Sequence, residues 1–110
     1  MILDQTGNTN TITQEKASII ELVKKIQTLY PKFKNSNIIV SLNTLGTFSE
    51  QDIAEFLALS KEHKEANNSF VIVTSKVDFN LVPDDIVVVP TLQEAHDIIE
   101  MEDMERDLGF

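Results

Sequence analysis

Cysteine is absent from the 110 residues, which removes disulfide frameworks and thiol chemistry together. Histidine occurs twice, at His63 and His96, and glycine three times, at Gly7, Gly46 and Gly109. Three scattered glycines make no phosphate-cradling loop, and Gly46 alone reads as a turn. No apolar run approaches the roughly 20 residues that span a bilayer. The opening Met1-Ile-Leu-Asp-Gln-Thr-Gly7 lacks the basic and apolar regions of a secretory leader, so a cytoplasmic protein is expected. Positive charge is scarce as well: nine Lys and Arg stand against 18 Asp and Glu, a net charge of −9. Residues 1–40 hold five Lys against three acids, whereas residues 41–110 hold three Lys and one Arg against fifteen acids. That second part repels a phosphate backbone, so direct contact with nucleic acid is not expected. Its acidity serves solubility or meets a basic protein partner.

What is present is 42% hydrophobic and 25% charged, as in an ordinary globular protein, and long enough for one core. Ile2–Gln5 and Thr9–Thr13 read as a hairpin around Thr6-Gly7-Asn8, where Gly7 and Asn8 tolerate positive φ. The polar, threonine-rich return strand is expected at a sheet edge. Gln14–Tyr30 follows helical periodicity, with Ile19, Leu22, Val23, Ile26, Leu29 and Tyr30 on one face. Pro31 is expected to end it, because the residue before a proline is pushed out of the helical region.

Asn37–Leu42, Ser69–Thr74 and Ile86–Val89 are short apolar runs without polar alternation, the pattern of strands covered on both faces. Ser49 precedes the second helix and forms a capping box with Asp52; Thr91 does the same for the last helix with Glu94. In the second helix Ile53, Phe56, Leu57 and Leu59 or Ser60 are expected inward, and Asn67-Asn68 ends it because Asn accepts the left-handed conformation. Residues 77–85 form a loop around Pro83, containing a short strand or turn. Strands alternating with helices imply βαβ units, a mainly parallel mixed sheet of four or five strands, and right-handed crossovers.

At the junction of the Asn37–Leu42 strand and the second helix the chain resembles the STAS domain, the family of anti-sigma factor antagonists. The family hallmark is an apolar strand ending in Asp-Leu, a turn, and Asp-Ser-Ser-Gly at a helix start. Ile38-Ile-Val-Ser-Leu-Asn-Thr-Leu-Gly-Thr-Phe-Ser-Glu-Gln-Asp-Ile-Ala-Glu-Phe-Leu-Ala-Leu59 matches its apolar positions without gaps. The chemistry differs. Ser41 stands at the strand-end aspartate, Ser49 at the hallmark aspartate, Gln51 at the phosphorylated serine and Asp52 at the glycine. The family's phosphoacceptor is therefore not carried over, and Ser49 reads as a cap rather than a phosphorylation site. A second resemblance lies in Val88–Phe110 with Ser69–Val73, which is similar to a group of small bacterial STAS-like proteins often labelled ribonuclease Z. The label implies association with the tRNA 3′-processing enzyme of the metallo-β-lactamase fold.

This chain does not meet the requirements of that hydrolysis. A two-zinc nuclease needs a His-x-His-x-Asp-His cluster and further ligands, and His63 and His96 lie on different helices outside any such run. His96 and Asp97 are helix neighbours pointing about 100° apart, so they make no acid–base pair. His63 sits near a helix C-terminus, where a cation suits the dipole. Ser41-Leu42-Asn43 and Val73-Thr74-Ser75 offer no strand-end carboxylates for a receiver-type site. Asp84 and Asp85 make a weak oxygen site or a solvated turn. No catalytic residue, metal or cofactor is expected.

The last helix carries Leu92, Ala95, Ile98 and Ile99 at spacing suited to packing on the sheet. Met101, Met104 and Leu108 follow at mostly three-residue steps, which turn the apolar stripe around the helix. They either fill the core or form a second face for a partner, rimmed by Glu100, Glu102, Asp103, Glu105 and Asp107. The expectation is a non-catalytic protein-interaction domain with a STAS-like α/β fold, three main helices and two candidate surfaces. One is the turn and helix front at Thr47, Ser49, Glu50 and Gln51; the other is Met101, Met104, Glu105, Leu108 and Phe110. The expected partner is a protein of basic character: a tRNA-processing hydrolase by the second resemblance, or an anti-sigma-like kinase by the first. A small ligand at the strand ends is the further alternative.

Overall fold

The computed structural model describes residues 1–16, 18–46 and 48–109. Five strands, β1 (Ile2–Thr6), β2 (Thr9–Thr13), β3 (Asn37–Ser41), β4 (Phe70–Val73) and β5 (Val87–Val89), lie side by side in sequence order. β1 pairs antiparallel with β2, and the other three pairings are parallel. The helices are α1 (Ile19–Phe33), α2 (Glu50–Ile53), α3 (Leu57–Glu65) and α4 (Leu92–Asp107), and a 3₁₀ turn at Ala54–Phe56 joins α2 to α3 into one helical segment. This is the α/β architecture expected, a mixed and mostly parallel sheet with three helical segments.

Strand alternation assigns the two faces. Ile12, Ile38, Val40, Phe70 and Ile72 enter one core with Leu22, Ile26, Phe33, Ile53, Phe56 and Leu59 from α1 and the α2–α3 segment. Ile39, Val71 and Val73 point the other way and meet Ala95 and Ile99 of α4. Because β2, β3 and β4 succeed one another in a single direction, crossovers of one hand put α1 and α2–α3 on the same face. The connection from β4 to β5 has only a 3₁₀ turn at Phe79–Leu81, so the second face waits for α4.

Three local expectations are corrected. β2 is not an edge: it lies between β1 and β3, and Thr9 and Thr11 are buried with Ile12. Threonine suits an interior strand because its branched side chain packs on the pleat, and β1 takes the edge instead. α1 starts at Ile19 rather than Gln14, since Ser18 caps it through the amide of Glu21. Gln14 instead continues the sheet, its amide donating to Ser41 O at 3.3 Å. Pro31 lies inside α1 rather than ending it. Its missing donor costs one carbonyl partner at the solvent side, while the extra turn buries Phe33, worth roughly 1.5–3 kcal/mol.

The C-terminus of α3 closes as expected on Asn67, at φ +63°. The amides of Asn67 and Asn68 donate to the carbonyls of Lys64 and His63, the double bond of a Schellman cap. Leu57 is half-buried, whereas Leu59 and Ser60 both point inward.

His63 is not a dipole-stabilising cation. It is wholly buried, and its Nε2 lies 2.6 Å from the carbonyl of Ser36, which can only accept. Nε2 therefore carries the proton, Nδ1 is the acceptor, and Tyr30 donates its hydroxyl to it at 2.8 Å. Burial pushes the His63 pKa down from 6.5, against opposing pulls from the Ser36 bond and Glu62.

Two outcomes are expected. Ser18→Ala lowers unfolding stability by about 1 kcal/mol in urea titration, whereas a helix beginning at Gln14 would place Ser18 in its interior and alanine would stabilise. Neutral His63 contributes stability that is complete above the unfolded histidine pKa of about 6.5 and is lost as pH falls through the lower folded value. Urea titrations at pH 7.5 and 5.5, about one pH unit either side of that unfolded value, will show the native chain weakening at the lower pH. His63→Gln, less stable at the higher pH, will show a flatter dependence.

Candidate functional site

The C-terminal end of the sheet is built around Asn43, two residues past β3. Its side-chain oxygen accepts from the amide of Ser75 after β4 at 3.1 Å, and its amide nitrogen donates to Pro90 O after β5 at 3.4 Å. One side chain thus ties three strand ends together. Thr44 donates to Gln14 O, and the Lys76 ammonium donates to Leu45 O. The loop that delivers the chain to α2 is pinned on several sides.

At the start of α2 both halves of the capping box form: the amide of Ser49 donates to Asp52 Oδ2 at 2.9 Å, and the amide of Asp52 donates to Ser49 Oγ at 3.4 Å. The carboxylate of Glu50 accepts from the amide of Asp78 at 3.2 Å, drawing the 3₁₀ turn against the helix front. A shallow groove of about 440 Å³ results, lined by Ser49, Glu50, Gln51, Ala54, Leu81 and Pro83. Phe79 and Leu81 are exposed beside it, Leu81 by 65%. Large apolar side chains beside a carboxylate-bearing helix start give a surface suited to apolar and cationic groups, and ill suited to a phosphate. Thr47, predicted for this surface, lies outside the described residues.

Asp84 and Asp85 are exposed, and the carbonyl of Asp85 takes bonds from Lys64 at 2.7 Å and Ser60 at 3.4 Å. Among the described residues no group of three His, Cys, Asp or Glu side chains is placed to hold a metal ion. His96 is half-buried on α4, and Asp97 accepts instead from Gln93 at 3.0 Å.

The second candidate surface is organised by what α4 turns inward. After Ala95 and Ile99 the side of α4 toward the sheet continues with Glu102, Asp103 and Arg106, each only partly buried. Arg106 pairs with Asp103 and donates to Ser69 Oγ at 3.1 Å and Asn37 Oδ1 at 3.4 Å. Asp103 accepts from Asn37 Nδ2 at 3.4 Å, and Ser69 donates to Glu102. Met101, Met104 and Leu108 therefore do not fill the core: they are 51%, 60% and 69% exposed. Leu92, expected on the sheet, is also exposed. As the first helical residue it leans toward the N-terminal end, past the strands. Glu105 lies exposed among the methionines, and Phe110 lies outside the described residues.

The two surfaces are not one site: α2 stands over one face of the sheet and α4 over the other. Asn37, Asn43 and Ser69 were missed as organising residues. The available signal was that each is polar and flanks a run of buried apolar residues, where a side chain needs a named partner. Among the described residues no helix is long and apolar enough to cross a membrane.

No protein-family model matches the sequence, and no curated protein matches it significantly. Solved structures do. The chain superposes on the crystal structure of a candidate anti-sigma factor antagonist from Thermotoga maritima with a TM-score of 0.68 at 13% identity. The match covers 90% of this chain and 93% of that one. Nothing in it supports the ribonuclease Z label. The fold is that of a STAS-like anti-sigma factor antagonist.

Proposed function

We propose that this chain is a non-catalytic protein-binding domain of the anti-sigma-factor-antagonist kind, meeting its partner through the front of α2 and the adjoining 3₁₀ turn. The observation that carries the reading is the groove between Ser49–Ala54 and Leu81–Pro83, at the loop end of a STAS-like sheet and flanked by exposed Phe79. Its apolar floor and carboxylate lip favour a protein surface presenting apolar and basic side chains. An anti-sigma-like kinase is the partner class the fold points toward.

Phosphate does not switch this surface. The family's phosphoserine position holds Gln51, and Ser49 has its hydroxyl and amide committed to the capping box. A phosphate on Ser49 would break that box and add a dianion beside the carboxylates of Glu50 and Asp52. Binding is then constitutive, set by the partner's availability.

Affinity capture from native extract, followed by titration of the recovered protein, tests this. Leu81→Asp is expected to weaken binding by about tenfold or more, the effect of placing an unpaired charge in an apolar contact. Ser49→Ala is expected to change affinity by less than about twofold while costing about 1 kcal/mol of stability. A kinase-fold partner lost with Leu81→Asp supports the reading. Recovery of a metallo-β-lactamase-fold ribonuclease would revive the accessory role. Thermal stabilisation by a nucleotide or lipid, with binding indifferent to Leu81, would replace the reading with a small-ligand domain.

A further inference from the structure

The second half of α4 is amphipathic in the wrong sense for a free surface. Residues 99, 102, 103 and 106 follow one another at helical spacing toward the sheet, and three of the four are charged. Met101 lies two residues beyond Ile99, about 200° around the helix, and Met104 and Leu108 continue its stripe outward. The apolar stripe is not what meets the sheet: Met101, Met104 and Leu108 are 51%, 60% and 69% exposed. The chain instead locks the polar side inward through Asn37 and Ser69. That orientation leaves an apolar stripe exposed, the kind of surface that marks a contact site.

The surroundings say what covers it. Glu94, Asp97 and Glu105 interleave with the stripe, and Glu100 and Asp107 border it. Arg106 is the only Lys or Arg on the helix, and it is turned inward. Among the described residues none of those five carboxylates forms an ion pair. Along the side of α4 toward the edge strand β5 runs a groove of about 300 Å³ formed by Val89, Glu94, Asp97, Ile98 and Met101. We infer that the outward face of α4 docks an amphipathic helix of a partner protein, whose apolar stripe covers Met101, Met104 and Leu108 and whose flanking lysines or arginines meet these carboxylates. Methionine adapts its shape to such a stripe, and helix-in-groove binding uses this combination of apolar anchors and bordering charge. Because α4 and α2 stand on opposite faces of the sheet, the inference does not depend on what the α2 front binds.

The test titrates the full chain against a fluorescent leucine–lysine peptide patterned as an amphipathic helix, and against a permuted peptide of equal composition whose leucines share no face. The patterned peptide is expected to bind at least about tenfold more tightly, an advantage of roughly 1.4 kcal/mol. The double variant Met104→Ser with Leu108→Ser should lower its affinity by about tenfold with an unchanged melting temperature, since both residues are exposed. Leu81→Asp should leave peptide binding intact, which separates this surface from the α2 front. Equal binding of the two peptides, or native-like binding by the double variant, would refute the proposal. A native dimer abolished by the double variant would also overturn it, assigning the stripe to a second copy of the chain.

Discussion

The side chain of Asn37 governs how the last helix meets the sheet. It opens β3, is almost wholly buried, and spends both ends of its amide: the oxygen accepts from the amide of Ser69 at 2.9 Å and from Arg106, and the nitrogen donates to Asp103. A buried amide without partners costs about 1–3 kcal/mol per group, so whatever covers this end of the sheet has to bring polar atoms. α4 brings Asp103 and Arg106, and its rotation about its own axis follows. The exposure of Met101, Met104 and Leu108 is thus a consequence of one asparagine at the start of a strand.

The two faces of the sheet are closed by different means. α1 and α2–α3 cover theirs with a continuous apolar core, sealed at the edge by the Tyr30–His63–Ser36 chain of hydrogen bonds. α4 covers the other with only Ala95 and Ile99 fully buried, and relies on polar contacts beyond them. The apolar contact at Ala95, Ile98 and Ile99 holds the first half of α4, and the polar contacts orient the second. Its outer face remains free to be shaped for contact.

The loop end of the sheet keeps the STAS-like architecture with its own set of polar contacts. Asn43, tying three strand ends, does by hydrogen bonding the positioning that lets α2 start where it does. Glu50 and Asp52 put two carboxylates in the first turn of that helix, and Asp52 satisfies the Ser49 amide that an anion would otherwise attract. The helix front is in this way already neutralised by its own side chains, and what remains available there is apolar contact from Phe79 and Leu81.

Sequence alone determined the interactions that act over a few residues. The capping box at Ser49, the side-chain cap at Thr91, the left-handed Asn67 and the apolar runs of β3, β4 and β5 are legible because capping bonds and side-chain periodicity close within three or four positions. It also showed that the catalytic and metal-binding patterns considered are absent, as a matter of residue inventory. The tertiary structure decided the rest. It put threonine-rich β2 inside the sheet, kept Pro31 within α1 because Phe33 had a core to reach, and made His63 a neutral bridge between α1 and β3. It brought Leu81 beside Ser49, and it turned the charged side of α4 inward. Each of these depends on partners tens of residues apart, as Asn37 and Arg106 are. Local pattern carries no record of such pairings, because their free energy exists only once the strands and helices have been assembled.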